Sequence, residues 1–238
     1  MKLSIIVPAF NEEKTVREII EKVKKEKIPG IEKEIIVVDD GSSDKTSEIL
    51  DSIKVKDKNI KVIHHKTNKG KGAAVKTGIE NSKGDYIIIQ DADLEYDPKY
   101  IVDLVNPVLK GEAKVVYGTR LNRMPNISGE EKTLLFLAHF IGNRILSFLT
   151  SLLYFSWITD METCYKLFPR KALEGIELRS RSFDFEPEIT SKLLKKGYKI
   201  KEINITTKPR GYEEGKKLNT IRDGSIALWT LFKYRFVN

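Results

Sequence analysis

The sequence predicts an α/β fold, a mostly parallel sheet flanked by helices, and three observations carry that expectation. Short runs that are apolar on both faces, among them "KLSIIVPAF", "KEIIVVDD" and "DYIIIQDAD", alternate with longer segments of helical period, as strands buried between helical layers do. Each run ends in polar or acidic residues: Asn11 to Glu13, Asp39 to Asp44, and Asp91 to Asp97. Ligands in open α/β sheets bind beyond the carboxyl ends of the strands, so these clusters should converge on one edge.

The elements follow in order. After the first strand, "NEEKTVREIIEKVKKE" reads as a helix with Asn11 as N-cap, acids in its first turn and lysines toward its end, which suits the helix dipole. "KEIIVVDDGSSDKTSEILDSI" repeats the pattern, "NIKVIHH" is a third strand, "KGKGAAVKTGIENS" a glycine-opened helix and "DYIIIQDAD" a fourth strand. Helical connections between parallel strands wrap right-handedly. In the second half "AKVVYGTRLNR" delivers Arg120 and Arg123 at the end of a further strand. The apolar stretch from Leu134 to Ile158 reads as helical, and His139, Asn143 and Arg144 interrupt it too much for a membrane span. "ETCYKLFPRKALEGI", "FDFEPEITSKLLKKG" and "YKIKEINITTKPRGYEEGKKL" continue as strand, helix and strand with a basic loop, and "IRDGSIALWTLFKYRF" closes as an amphipathic helix.

Composition narrows the class. With 238 residues, 40% of them hydrophobic and 32% charged, the chain can bury the core of one large α/β domain, and it is neither disordered nor fibrous. No compositional break marks a linker, so residues 1–238 are expected to form a single domain. The one cysteine, Cys164, excludes an internal disulfide. The first apolar run is too short for a signal peptide. A net charge of +8 favours an anionic partner: nucleic acid, a phosphorylated substrate or anionic lipid. Nucleic acid is the poorest fit, because the lysines are spread over helix faces and no basic, aromatic stacking motif stands out.

The acids of "DADLEYDP" define the chemistry. Asp91, Asp93 and Glu95 alternate, and in an extended chain alternate residues share a face. Three carboxylates on one face would offer hard oxygen ligands to Mg2+ or Mn2+, with coordination positions left for water and a diphosphate. A solvated turn after a strand would carry the same acids.

Four stretches in order, "PAFNEE", "VVDDGSSDKT", "NKGKGAAVKTGI" and "DADLEYDP", resemble the inverting family 2 glycosyltransferases of GT-A fold. Within them the chain looks like the dolichyl- and polyprenyl-phosphate sugar synthases, the group of dolichol-phosphate mannose synthase and dolichyl-phosphate glucose synthase. The resemblance implies a nucleotide-sugar-binding half over residues 1–120 and a helical, basic-loop acceptor side over 121–238. It implies transfer of glucose or mannose from UDP-glucose or GDP-mannose to a polyprenyl or dolichyl phosphate, with Mg2+ or Mn2+ as cofactor.

The same resemblance assigns residues. Pro8, Phe10 and Glu12 match the first nucleotide-contacting loop, and Asp39 matches an acid that hydrogen-bonds the base. Gly70, Lys71 and Gly72 match a loop that lets backbone approach the nucleotide. Asp91 matches the acid near ribose and sugar, Ala92 belongs to the same contact, and Asp93 matches the acid that meets the metal, with Glu95 where the family often has Gln. A lipid phosphate is anionic at neutral pH and needs no strong base, but it does need cations to offset its repulsion by the donor diphosphate. Arg120 matches an acceptor-phosphate arginine, Arg210 and then Lys216 a later closing loop, and Arg123, His139 and Asn143 complete the acceptor side. His139 and Asn143 read equally as a satisfied polar pair in a helical hairpin. Asp160 and Glu162 of "TDMETCYKLF" would face the site, to orient a sugar hydroxyl or to act as base for an alcohol acceptor; a buried structural carboxylate would look the same.

"LSFLTSLLYFSWI" and "IALWTLFKYRF" mix aromatic, aliphatic and basic residues, a blend suited to the bilayer interface. They predict a cytoplasmic protein held peripherally on a membrane. A family 2 transferase acting on a saccharide or other soluble acceptor would share the whole first half.

Overall fold

The computed structural model describes residues 1–57, 59–122, 134–208 and 220–237. Its strands are β1 (Lys2–Ala9), β2 (Glu32–Asp39), β3 (Ile60–His64), β4 (Tyr86–Ile89), β5 (Val115–Thr119), β6 (Lys166–Pro169) and β7 (Ile200–Asn204). The helices are α1 (Val16–Lys25), α2 (Thr46–Lys56), α3 (Lys71–Glu80), α4 (Tyr100–Leu109), α5 (Leu134–Tyr154), α6 (Phe185–Lys195) and α7 (Thr220–Phe236). One sheet takes strands from both halves of the chain, in the order β3-β2-β1-β4-β6-β5-β7. Every pairing is parallel except those of β6, which runs against both β4 and β5.

Register decides where the polar clusters end up. Ala9 lies beside Asp39 and Asp39 beside His64, so β1, β2 and β3 finish level. Ile6 pairs with Ile89 and Thr119 with Asn204, which carries the same edge through β4, β5 and β7. Because β6 is reversed, its beginning lies at that edge, and the segment 160–165 enters between the ends of β4 and β5. The expected convergence is therefore met, and the reversed strand adds a segment to it.

Alternation along the strands splits the core into two layers. Ile5, Val7, Ile35 and Val37 pack with Ile19, Ile20 and Val23 of α1 and Leu104 of α4. Ile6, Ile87, Ile89 and Tyr117 face the other way, onto Val75 of α3 and Phe185, Ile189 and Leu193 of α6. A third cluster joins Leu146 of α5, Ile158 and Met161 to Ala227 and Leu231 of α7. Among the described residues no helix is long and apolar enough to cross a membrane.

Asn11 is not the cap of α1, which begins five residues later behind Thr15. It sits at φ 52°, a left-handed conformation that Asn tolerates. From there its side chain accepts the Ser43 N–H at 2.8 Å and its own N–H donates to Ser42 Oγ at 3.0 Å. With Glu12 N–H on Thr46 Oγ1 at 2.8 Å, the loops after β1 and β2 clasp one another.

The close approach of α3 to β1 yields a stability prediction. A Cβ on Gly78 would lie 2.4 Å from Ile6 Cγ2, inside the buried layer. Gly78→Val should overpack that contact and cost about 1–3 kcal/mol, lowering the thermal midpoint by roughly 2–4 °C per kcal/mol in a circular dichroism melt. An unchanged midpoint would show that α3 can lift off the strand without penalty.

Candidate active site

The first group at the edge is a pair of buried acids that end β2. Asp39 is 1% exposed. Its Oδ1 accepts the Ser42 N–H at 3.0 Å and Ser42 Oγ at 2.5 Å, and its Oδ2 accepts Ser47 Oγ and meets His64 Nδ1 at 2.8 Å. Burial alone would raise its pKa, but the hydrogen bonds from Ser42, Ser47 and His64 outweigh it and hold the carboxyl below its ordinary range. With two partners on each oxygen, Asp39 also shapes its own loop.

Asp40 does the same for the next loop. It accepts the Gly70 N–H at 2.7 Å and the Lys69 N–H at 3.0 Å, and His65 Nδ1 lies 2.6 Å away. Gly70 has φ 95°, and a Cβ there would fall 2.1 Å from the carbonyl oxygen of Arg181. A Cβ on Gly72 would meet the Ser180 carbonyl oxygen at 2.8 Å. The backbone these glycines admit is that of residues 180–181 of the protein itself.

Lys71, opening α3, is the centre of the second group. Its Nζ lies 2.9 Å from Asp91 Oδ1, 3.0 Å from Glu186 Oε1 and 3.1 Å from Cys164 Sγ. Burial would lower its pKa, yet Asp91 and the other acids raise it well above the usual lysine value. Asp91 is also desolvated, and Lys71 is foremost among the groups that keep it ionised. Burial pushes the Cys164 thiol well up, so it is no nucleophile at neutral pH.

Beyond Asp91 the chain turns instead of staying extended. Leu94 has φ 65°, and Asp93 Oδ1 accepts the Glu95 N–H at 3.1 Å. Ala92 is 3% exposed and packs into the core. The shared face expected for Asp91, Asp93 and Glu95 is lost, because a turn does not keep alternate residues on one side. Among the described residues no group of three His, Cys, Asp or Glu side chains could hold a metal ion. The donor set does fit a cation bound in the Mg2+ manner, by one or two carboxylates with substrate phosphates and water completing the shell.

The third group ends β5. Arg120 donates Nε–H to Asp160 Oδ2 at 2.7 Å and Nη2–H to Oδ1 at 2.8 Å, and its backbone N–H reaches Oδ2 at 2.9 Å. Asp160 is fully buried. The backbone N–H groups of Thr159 and Asp160 in turn donate to Glu202 of β7. Asp160 is thus the counter-ion that orients Arg120. The guanidinium stands 5.7 Å from the centre of the Tyr96 ring. Beside it is a cleft of about 210 Å³ lined by Tyr100, Thr119, Arg120, Asn122, Asn204, Ile205 and Thr206.

The remaining residues divide. Pro8 is buried in β1, Phe10 is half-buried and Glu12 is 7% exposed, with Thr15 Oγ1 on its Oε2 at 2.9 Å. His139 and Asn143 are half-buried on α5. Arg123, Arg210 and Lys216 lie outside the described residues. Glu186, not singled out in the sequence, is brought in by tertiary structure; in "FDFEPEI" it reads as an ordinary acid of a helix's first turn.

A mostly parallel sheet with polar clusters at the carboxyl ends of its strands defines an open α/β protein whose ligand site belongs at that edge. The chain belongs to glycosyl transferase family 2, whose model matches residues 4–176. An uncharacterized protein of Methanocaldococcus jannaschii is 34% identical over 92% of this chain and 87% of its own length. Two Haloferax volcanii proteins also match: glycosyltransferase AglD, 27% identical over 94% of this chain, and the low-salt glycan biosynthesis hexosyltransferase Agl6, 30% identical over 99%. The chain spans 35% of the first and 53% of the second. Glucosyl-3-phosphoglycerate synthase of Mycobacterium tuberculosis, solved with Mn2+, uridine diphosphate and phosphoglyceric acid, superposes on the entire chain and 79% of its own with a TM-score of 0.69 at 20% identity. TarS of S. aureus, solved as residues 1–349, gives 0.60 at 21% identity, over 99% of this chain and 72% of its own. The fold is the GT-A fold.

The Arg120–Asp160 pair can be tested as a unit. Asp160→Ala leaves a guanidinium largely out of water without its partner, which should cost about 3–5 kcal/mol in urea denaturation. The double variant Arg120→Ala/Asp160→Ala should lose less than the sum of the two single changes. Strict additivity would mean that the two side chains do not depend on one another.

Proposed function

We propose that this family 2 glycosyltransferase moves a hexose, glucose or mannose, from UDP-glucose or GDP-mannose to a polyprenyl or dolichyl phosphate with inversion at the anomeric carbon. The observation that carries the proposal is Arg120. Its buried partner Asp160 fixes the guanidinium plane through one edge, and among the described residues its side-chain hydrogen bonds go to Asp160 alone. The other edge is left for an anion. Arginine forks suit phosphate, and pre-orientation lowers the entropy lost on binding it.

The donor belongs over the loops after β1, β2 and β4. Residues 1–120 supply most of that side, with Pro8, Phe10 and Glu12 beside the nucleotide, Asp39 at its base, Asp40 holding the loop that receives it, and Glu186 contributed from the acceptor-side half, 121–238. Structures of this fold that hold uridine diphosphate with Mn2+ or with Mg2+ support both a nucleotide and a divalent cation. One or two carboxylates drawn from Asp93, Asp91 and Glu95 would hold Mg2+ or Mn2+, which would supply charge neutralisation for a diphosphate leaving group. Lys71 keeps Asp91 ionised and adds a positive charge at the same place. An acceptor phosphate is already ionised, so attack on the sugar needs no base. Arg123, Arg210, Lys216, His139 and Asn143 remain the further acceptor contacts proposed.

A membrane-held acceptor fits the outer helices. On α5 the exposed residues Ile141, Ile145, Phe148 and Leu152 recur every three or four positions, and Ile226, Trp229, Phe232 and Phe236 do so on α7. Phe148 is 60% and Trp229 68% exposed. Arg144, Lys233 and Arg235 lie among them. Such a face suits peripheral attachment at the cytoplasmic surface of an anionic bilayer. A second acceptor class, a saccharide hydroxyl, is favoured by the cleft beside Arg120, where Asp160 cancels the charge and Asn122, Asn204 and Thr206 offer neutral polar groups.

Both acceptors can be offered directly. With polyprenyl phosphate, Arg120→Ala should cut transfer about tenfold to a hundredfold, the equivalent of roughly 1.5–3 kcal/mol for a lost charge-assisted contact. Hydrolysis of the nucleotide sugar by water should persist below the melting temperature, and Arg120→Lys should recover part of the transfer. Transfer only to saccharides would replace the lipid-phosphate acceptor. In a separate sedimentation assay with anionic phospholipid vesicles, the unaltered protein should pellet and Phe148→Ser/Trp229→Ser should stay mostly in solution. Vesicle binding unaffected by this double change would remove the α5–α7 face from the proposal.

A further inference from the structure

Glu162 stands on the segment between Asp160 and β6, flanked by the Arg120–Asp160 pair on one side and the Lys71–Asp91–Glu186 group on the other. Its Oε1 is sealed from solvent, and among the described residues no hydrogen bond reaches it. The cations around it are committed elsewhere. Arg120 is held by Asp160, Lys71 by Asp91 and Glu186, and the buried Lys166 Nζ by the carbonyls of Met161 and Thr163. The acids that face it are Glu186, 3% exposed and ion-paired with Lys71 at 3.0 Å, and Asp160. Glu162 is half-buried as a residue, and with its Oε1 sealed and no cation of its own an ionised carboxylate would stand among other acids, an arrangement proteins avoid by keeping the group neutral. Burial first, and the Glu186 carboxylate next, push the Glu162 carboxyl up to about 8, against the weaker pull of Lys166 and Arg120.

We propose that Glu162 is a specificity-determining residue for the transferred sugar, a neutral carboxyl whose O–H donates a hydrogen bond to an oxygen of the hexose. The inference rests on the glycosyltransferase reading above. With the diphosphate at the Asp93 turn and the acceptor at Arg120, the hexose has to lie in the interval that Glu162 borders. A neutral carboxyl offers one donor and a carbonyl oxygen, much as a carboxamide does. Glu162→Gln therefore preserves the contact, whereas a general base would be destroyed by the same change.

Difference infrared spectra of the full chain give the protonation state without reference to activity. A protonated-carboxyl band should be present at neutral pH, vanish as the pH passes about 8, and be missing from Glu162→Gln. Calorimetry with UDP-glucose and GDP-mannose then reads the contact. Above its pKa the group loses the hydrogen it donates, so the unaltered protein should bind the nucleotide sugar less tightly on the alkaline side. Glu162→Gln should bind like the unaltered protein at neutral pH and show no such decline. Glu162→Ala should bind about tenfold less tightly, with UDP or GDP alone unaffected. Equal loss of transfer in the Gln and Ala variants, with turnover of the unaltered protein rising through the same pH, would overturn the proposal in favour of an ionised base. Equal weakening of UDP or GDP alone in Glu162→Ala would overturn it in favour of a structural role. If neither nucleotide sugar binds the unaltered protein, the reading of UDP-glucose or GDP-mannose as donor itself fails, and the proposal with it.

Discussion

The reversal of β6 within an otherwise parallel sheet is the constraint on which the site depends. A parallel strand at that place would begin at the opposite edge and take the segment before it there too. Running antiparallel between β4 and β5, β6 brings residues 160–165 to the edge where Asp91 and Arg120 stand. Asp160 can then grip Arg120, and Cys164 can lie against Lys71. Gly118 N–H donates to the Tyr165 carbonyl at 2.9 Å, and the Tyr165 hydroxyl donates to Gln90 Oε1 at 2.5 Å, so the segment is tied to both neighbouring strands. The site is thereby held by strand ends and short connections, which position groups more firmly than long loops do.

Burial of charge is the second organising term. Lys71, Asp91, Asp160, Glu186 and Lys166 would each be costly alone in a site largely closed to water. Lys71 between two acids and Arg120 on Asp160 offset most of that cost, and backbone carbonyls serve Lys166. These pairs add less to net stability than their geometry suggests, since desolvation consumes much of the attraction. What they provide is fixed direction. Removing one partner therefore harms the protein more than removing both. The same accounting leaves Glu162 without a cation, and a neutral carboxyl is what such surroundings favour.

Preorganisation extends to the loops. Asp39 closes the turn after β2, Asp40 anchors the start of α3, and Asn11 ties the loop after β1 to Ser42 and Ser43. Three adjacent strand ends are thus wired together by side chains that receive backbone N–H groups. A ligand meeting this edge would find loops whose entropy has already been spent during folding.

The alternating apolar runs determined the strands and helices, because period and burial are local properties of the sequence. The polar clusters after each strand determined which edge would be used, and the four ordered motifs pointed to the family that the chain belongs to. Side-chain partnership was not legible. In "VVDDGSSDKT" nothing shows that Asp39 is held by Ser42 and Ser47. An alternating Asp-x-Asp reads as extended until Leu94 adopts a positive φ. Asp160 lies forty positions after Arg120 and Glu186 over a hundred after Lys71, and the sequence carries no mark of either meeting. Those pairings depend on strand order and on the direction of β6, which follow from how the whole sheet closes over its core. The sequence by itself determined the elements, the edge and the family; only the tertiary structure decided which charges neutralise one another.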